Sequence, residues 1–544
     1  MQGARAGRAG GSPRPRVVGR RASRIDAHLR LARRRRRPGA GSVKGHPPRE
    51  GVAAVATDNT AAHVPVVIIG AGIAGIALGV ELRAAGLTDF VVLERAEGLG
   101  GTWRANTYPG CACDVPSQLY SYSFAPNPDW SRTYGTQPEI LGYLERVATE
   151  HGVVAHMRFG TELRDARWDE DAEVWRVSTS RGDYTAGVLI SAVGPFSEAS
   201  IPDLPGRASF AGTQFHSLHW DHEHDLRGER VAVIGTGASA VQFIPEIQPL
   251  VGQLTVFQRS APWIVSRLDR STTGVERALL RRLPALGKAI RSAYYTGIES
   301  FGLVGFVDKR FRHPFETLAK LQLLRQVRDP RLRRILTPDY VIGCKRAIFS
   351  DAYYPALTQP NVEVVTAGIA EIRPHSIVTV DGAEYPIDTL IWGTGFGVPP
   401  AIFQRVHGVD GRSIADIYRE RPSSYLGAAI GGFPNFFCTL GPFGAAGNQS
   451  AIFMIEAQAR YIVDALKTMR AQRVTRVAVR PEVQRAFLDD VNARSRDTAW
   501  LTGGCRSYYQ TADGANSGLY PNWSFEYARR TRHFDADSYE MRTR

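Results

Sequence analysis

The sequence predicts an α/β protein, and two observations carry that reading. A β-branched run leads into a glycine-rich turn and then a helical pattern twice, near residues 66–85 and again from residue 230. A leucine- and arginine-rich stretch at about 270–340 has helical spacing and interrupts the α/β pattern. Strand, glycine turn and helix in that order are the opening of a Rossmann-like unit, so the expected class is α/β with two Rossmann-like dinucleotide-binding domains and a helical insert.

The first unit begins at Val66-Val67-Ile68-Ile69, a buried-strand pattern. It feeds Gly70-Ala71-Gly72-Ile73-Ala74-Gly75 and a helical stretch to about Ala85. Gly70 permits the tight turn, Gly72 lets a pyrophosphate approach the backbone, and Gly75 lets helix and strand pack closely. The free N–H groups at the helix start then face the phosphates. The next strand, Phe90 to Leu93, ends at Glu94, whose carboxylate can accept from ribose hydroxyls. A lone GxGxxG is weak evidence, but with both strands, the helix and the acid it predicts a dinucleotide site.

The second unit runs from Arg230-Val231-Ala232-Val233-Ile234 into Gly235-Thr236-Gly237-Ala238-Ser239-Ala240, with Ala240 at the third small position. Its next strand, Leu254 to Phe257, leads to Gln258-Arg259-Ser260. Glu94 lies 24 residues after Gly70, and Arg259 lies 24 after Gly235. One structural position thus carries opposite charges. A carboxylate there repels a 2′-phosphate and an arginine pairs with it. The first site therefore suits FAD and the second NADPH.

A chain holding both passes electrons to something else, commonly a disulfide or O₂. Of the five cysteines, Cys111 and Cys113 are spaced CxC, too tight for an ordinary unstrained bridge, which favours O₂. No metal-ligand spacing occurs, so no metal is expected. Sparse cysteine usage suits a reducing compartment, and the expected location is the cytoplasm.

The net charge of +14 is local to one end. Residues 1–50 hold 15 basic against two acidic residues, and the rest holds 52 against 51. The body gives no electrostatic case for nucleic acid. Residues 1–60, rich in Arg, Gly, Ala and Pro, are expected to be disordered. A basic nucleic-acid arm or a transit-like peptide is the sharper alternative for them, a dispensable extension the plainer one. The charge-free window Ser423 to Ile455 invites a membrane span, but its repeated Gly and Pro break a helix. Buried strands and loops under a cofactor are expected instead, followed by a helix from about Ser450 to Lys467, and no membrane partner. In the insert, Leu279, Leu280, Leu283 and Leu286 form apolar stripes.

From about residue 64 onward, several segments in order resemble the Baeyer–Villiger monooxygenases. Phe210, Gly212, His216, Trp220 and Asp221 match the fingerprint FxGxxxHxxxW(P/D) at every specified position. Related N- and S-oxidising flavin monooxygenases tend to end this stretch in Tyr-Lys. Gly101-Thr102-Trp103, Tyr108-Pro109-Gly110 and Cys113-Asp114 resemble the segment that packs on the flavin. Gly343-Cys344-Lys345-Arg346 resembles the segment bearing a catalytic arginine, with Lys345 at a position associated with NADPH. Asp388 to Phe396 resembles the strand and turn that return the chain to the FAD domain. Cys505 to Asn516 resembles a C-terminal segment that closes over the nicotinamide. The chain departs from the family at Ala112 (often Arg), Gly393 (often Ala) and Tyr508 (often Trp).

The resemblance implies that one atom of O₂ enters a ketone through a flavin C4a-peroxide, giving an ester or lactone. It implies Arg346 as the stabiliser of developing negative charge, Asp114 as its orienting partner, and domain communication as the task of His216. N- or S-oxidation and an uncoupled NADPH oxidase are the alternatives. The expected layout is FAD on residues 61–200 and 388–544, and NADP on 201–387 with the insert inside it. Substrate identity and oligomeric state are left open.

Overall fold

The computed structural model describes residues 61–307, 312–447 and 449–543. The Arg-rich stretch expected to be disordered lies outside the described residues. Two parallel-rich sheets organise the rest. In the larger one the order is Val406–His407, Leu163–Asp169, Val174–Thr179, Gly182–Ser191, Ala62–Ile69, Phe90–Leu93 and Met157–Arg158, with Phe436–Cys438 also on Gly182–Ser191. In the smaller one it is Val362–Val365, Gln253–Phe257, Arg230–Ile234, Thr389–Trp392 and Thr213–His216, all parallel. Each sheet thus holds one expected strand–glycine–helix unit at its centre, where both faces are covered and a continuous β-branched run is at home.

The helices begin where the glycines put them. Gly72 caps Ile73–Ala84, and Gly237 caps Ala238–Ile247. Ile73–Ala84 packs on the long helix Ala451–Gln472, which runs five residues past the end its sequence pattern suggests. The charge-free window supplies the buried strand Phe436–Cys438 and glycine-rich loops that lead into this helix. Among the described residues no helix is long and apolar enough to cross a membrane.

One boundary differs from the sequence expectation. Thr389–Trp392 sits between Arg230–Ile234 and Thr213–His216, so it completes the second sheet rather than beginning the return to the first. Four consecutive buried residues, Thr-Leu-Ile-Trp, suit either sheet, and only strand pairing decides. Directly after this strand, Gly393, one of the departures noted above, meets Ala240, the third small position of the second turn. A Cβ on Gly393 would lie 3.3 Å from the Ala240 methyl and 3.3 Å from the Ile234 carbonyl. The methyl at 240 fills room that a methyl at 393 would need. Gly393→Ala should therefore overpack the contact by about 1–3 kcal/mol. Adding Ala240→Gly should recover part of that loss, and thermal melts of the two single variants and the double variant measure the coupling. Strictly additive shifts would show that the two sites do not compete for space.

The insert is helical, as expected: Gly274–Arg282, Pro284–Val307, Arg312–Gln326 and Pro330–Ile335. Its leucine stripe is not a core face, however. Leu280 is buried, whereas Leu279 and Leu283 are exposed. Several side chains tie the insert to the body: Arg291 Nη1 donates to the carbonyls of Gln118, Leu119 and Ser121, and buried Glu299 accepts from Gln449 Nε2 and the Ser524 N–H.

A disulfide joins Cys344 to Cys505 across 161 residues, a pairing for which the sequence offers no spacing signal. It stands against reading the sparse cysteines as uniformly reduced. Cys111, Cys113 and Cys438 are free and buried.

Candidate active site

Both glycine turns open into one cavity of about 1450 Å³. That exceeds the roughly 300–1,000 Å³ of an ordinary ligand pocket and leaves room for more than one large ligand. Gly70, Gly72, Glu94, Gly101, Thr102, Trp103, Asp114, Gly235, Gly237, Arg259, Ser260, Lys345 and Arg346 all line it. Gly75 and Ala240 lie beneath their turns, as packing positions should. A Cβ on Gly75 would stand 2.0 Å from the Gly70 carbonyl oxygen, and Ala240 is fully buried.

The first turn fits a dinucleotide. Gly70 has φ +104°, a conformation other residues rarely adopt. Glu94 is buried; its two oxygens accept from the backbone N–H groups of Ala71 (2.8 Å) and Ala96 (2.9 Å). Each oxygen keeps a lone pair for a ribose hydroxyl. Gly101 comes so close to Gly72 that a Cβ on it would lie 2.9 Å from the Gly72 Cα, so position 101 requires glycine at this approach of the two loops, whereas a Cβ on Gly72 would make only ordinary contact at 3.5 Å.

The second turn fits a phosphorylated dinucleotide. Gly237 has open space where a Cβ would stand. Beyond it, Lys345 Nζ donates to Ser260 Oγ at 2.6 Å and lies 4.8 Å over the Tyr340 ring. Burial, and then the like charge of Arg259, hold the Lys345 ammonium below its ordinary pKa. The Asp339 carboxylate offsets only part of this depression, and two cations with a hydroxyl converging here suit a dianion.

Arg346 lines the same cavity as both turns. Its Nε and Nη2 donate to the two Asp114 oxygens, both at 2.7 Å, a bidentate fork. The side chains are 36% and 23% exposed, and what they expose faces the cavity. Arg346 is placed by the loop that precedes Ile348–Phe349, a short strand paired with Ile264–Val265. Asp114 is placed by a segment tied down at Cys113, whose N–H donates to the Gly135 carbonyl. Burial by itself would raise the Asp114 carboxyl, but the Arg346 charge and hydrogen bonds outweigh it, with help from Arg267, and the net pKa is lowered. Arg346 in turn is held charged, chiefly by Asp114.

Because the folded carboxyl is depressed, the pair contributes stability above the unfolded carboxylate range, and that contribution is lost as pH falls. Acid unfolding between about pH 5 and pH 1 should therefore include the Asp114 proton. Asp114→Asn should be less stable at neutral pH and show a flatter acid limb in denaturant titrations. Parallel acid limbs would remove Asp114 as a titrating group.

Sequence reasoning missed three residues here. Gln242, on the helix Ala238–Ile247, reaches across to the flavin-side segment: its Oε1 accepts from Tyr108 Oη at 2.9 Å, and its Nε2 donates to the Ala112 carbonyl at 2.9 Å. Arg267 donates to the Cys113 carbonyl at 2.9 Å and lies over the Tyr134 ring. Tyr120 accepts from the Trp103 indole N–H at 3.1 Å. Each acts across sequence distances that leave no local pattern.

The fingerprint residues do not line the cavity. Phe210 is buried in the second sheet's core, and a Cβ on Gly212 would lie 2.1 Å from the Asp388 carbonyl oxygen. Trp220 packs between Phe215 and Phe243, and Asp221 accepts from the Glu223 N–H in an exposed turn. His216 is buried; its Nδ1 accepts from the Leu218 N–H, which leaves the proton on Nε2, and burial lowers its pKa. Its ring meets Phe396, just past the point where the chain leaves the second sheet.

The cysteines near the first turn do not form a redox pair. Burial pushes the Cys111 thiol up to about 11, and the Cys113 thiol is raised as well.

Comparison with known proteins matches this geometry. Residues 67–297 fit the family model of pyridine nucleotide-disulphide oxidoreductases. A Baeyer-Villiger monooxygenase of Streptomyces coelicolor is 46% identical over 486 residues, covering 88% of this chain and 93% of that protein. The chain belongs to the Baeyer–Villiger monooxygenases. Solved structures agree: OTEMO in complex with FAD and NADP superposes with a TM-score of 0.80 at 27% identity, covering 89% of this chain and all of that one. Cyclohexanone monooxygenase from Rhodococcus sp. Phi1 bound to NADP+ gives 0.80 at 28% identity with the same coverage. The pyridine nucleotide-disulphide match ends at residue 297, before either Arg346 or the C-terminal segment.

Proposed function

We propose that this monooxygenase inserts one atom of O₂ into a ketone to give an ester or lactone, with Arg346 and Asp114 at the reacting centre. The bidentate Arg346–Asp114 pair, in one cavity with two dinucleotide turns, carries this reading. Residues 61–200 and the part after Trp392 would hold FAD at the first turn, with Glu94 and the Gly101–Trp103 segment as its contacts. Residues 201–392 would hold NADPH at the second turn, with Arg259, Ser260 and Lys345 available to its 2′-phosphate. When bound, the two cofactors supply the reducing equivalents and the reaction with O₂.

The chain's own groups then have defined tasks. The Arg346 guanidinium stays charged at every working pH and presents donors to negative charge that develops on the substrate oxygen. Asp114 occupies one edge of the guanidinium and fixes its plane, leaving Nη1 and the remaining Nη2 proton to face the cavity. Gln242 couples the segment that carries Asp114 to the second domain. His216, outside the cavity, acts on how the two domains meet and not on a proton of the reaction.

A requirement for NADPH supports a cytoplasmic site of action. The test is an oxygen-dependent screen of cyclic, linear and aromatic ketones and one sulfide, with products identified by mass and compared with NADPH consumed and hydrogen peroxide released. Ester or lactone carrying one ¹⁸O from labelled O₂ is expected. Sulfoxide alone would place the enzyme with the S-oxidising relatives, and peroxide alone would make it an oxidase.

A further inference from the structure

We infer that Cys344 and Cys505 are a reversible thiol–disulfide modification site that sets how firmly the enzyme holds NADP(H). The inference rests on the proposed placement of NADP on the second turn. Two segments meet at this bond and nowhere else by covalent linkage. Cys344 stands directly before Lys345 and Arg346, and Cys505 directly before Arg506, Ser507 and Tyr508, all of which line the cavity. The bond therefore fastens the loop carrying the arginine to the segment that lines the cavity with Arg506, Ser507 and Tyr508.

The surroundings are built for the pairing. The Cys505 N–H donates to Cys344 Sγ at 3.2 Å, and the Val341 N–H donates to the Gly503 carbonyl at 2.9 Å. A Cβ on Gly503 would lie 2.6 Å from the Cys344 Cβ, so the chain passes over the buried sulfur at a glycine. Beyond the bond, Tyr508 is 49% exposed; its ring meets Phe196 edge-on at 6.5 Å and Tyr509 at 4.4 Å, and its carbonyl accepts from Ser517 Oγ at 2.6 Å. The stretch from Gly504 to Ser507 is thus fixed at the disulfide on one side and at Tyr508 and Tyr509 on the other, and without the cross-link it loses the first of these.

The two sulfurs are unequally accessible. Cys344 is fully buried and Cys505 is partly exposed. A dithiol reductant thus attacks Cys505 Sγ as its thiolate, the Cys344 sulfur leaves, and the second thiol of the reductant resolves the mixed disulfide. Two electrons and two protons pass from the dithiol, which becomes a disulfide, and the protein gains two thiols. The reverse reaction needs a disulfide oxidant of the same class. In a reducing compartment a bond of this kind is transient and redox-sensing rather than structural.

The FAD-loaded wild-type enzyme provides the test. After oxidised glutathione, thiol titration of the denatured chain should find three thiols, and after dithiothreitol five, with the 344–505 peptide identified by mass. NADP⁺ titrations read from flavin absorbance should show affinity at least about tenfold weaker in the reduced form, because a pre-ordered wall no longer meets the ligand. Reoxidation should restore it. Cys505→Ser should match reduced wild type and ignore both reagents. Five thiols after the oxidant, equal NADP⁺ affinity in both states, or a Cys505→Ser enzyme that still responds would each overturn the inference. None of these readouts requires turnover, so an enzyme that fails to oxygenate ketones but shows the shift would sink the proposed function and leave this site standing.

Discussion

Arg346→Ala should bind FAD and consume NADPH while making almost no oxygenated product. Losing one preorganised charge at a developing anion typically costs about 2.7–4 kcal/mol, or about 10²–10³ in rate. Reducing equivalents should leave as hydrogen peroxide instead, so the ratio of peroxide to NADPH should approach one. The substitution also strands the Asp114 carboxylate, which now has both Arg346 bonds cut. Removing one partner of a buried pair costs about 3–5 kcal/mol, discounted here because the pair is open to the cavity. The double variant Arg346→Ala with Asp114→Asn separates the two effects: stability should recover and coupling should not. Arg346→Lys should rescue only part of the coupling, since one ammonium cannot hold both carboxylate oxygens and still face the substrate in a fixed plane. Wild-type coupling in Arg346→Ala, with ketone converted to ester, would falsify the assignment.

Arg259→Ala should raise KM for NADPH by about tenfold or more and leave NADH nearly unchanged, from the roughly 1.5–3 kcal/mol of a hydrogen bond to a charged group. Arg259 is exposed at the mouth of the cavity, and Lys345 with Ser260 remains, which sets the expectation at the lower end. A second effect has the opposite sign. With the neighbouring cation gone, the Lys345 ammonium is relieved of the like charge that depresses it. Lys345→Ala added to Arg259→Ala should therefore cost more than Lys345→Ala in the wild type if both cations serve one dianion. Equal losses with NADPH and NADH would show that neither residue reads the 2′-phosphate.

Much of this enzyme was legible along the chain because its nucleotide turns are local structures. A strand, a glycine turn and a helix within some twenty residues must satisfy their own backbone geometry. The glycines at 70, 72 and 75 therefore announce their conformations before any fold is known. The charge reversal between Glu94 and Arg259 was equally readable, since both sit one strand beyond their turns. The Arg346 and Asp114 roles came instead from resemblance; nothing in their own spacing, 232 residues apart, relates them.

What tertiary structure alone decided lies where segments distant in sequence compete for the same space or supply each other's partners. Thr389–Trp392 joined the second sheet because its neighbours there offered the open hydrogen-bonding edge. Leu279 and Leu283 stayed exposed although their helical spacing is that of a core face, because among the described residues no element packs over them. Gln242 joins the helix of the second turn to the segment that carries Asp114, and Cys344 meets Cys505 across 161 residues. Local sequence encodes backbone conformation through sterics that act within a few residues. Pairing across domains depends on which surfaces the finished fold brings together, and no period or spacing in one strand of sequence records that.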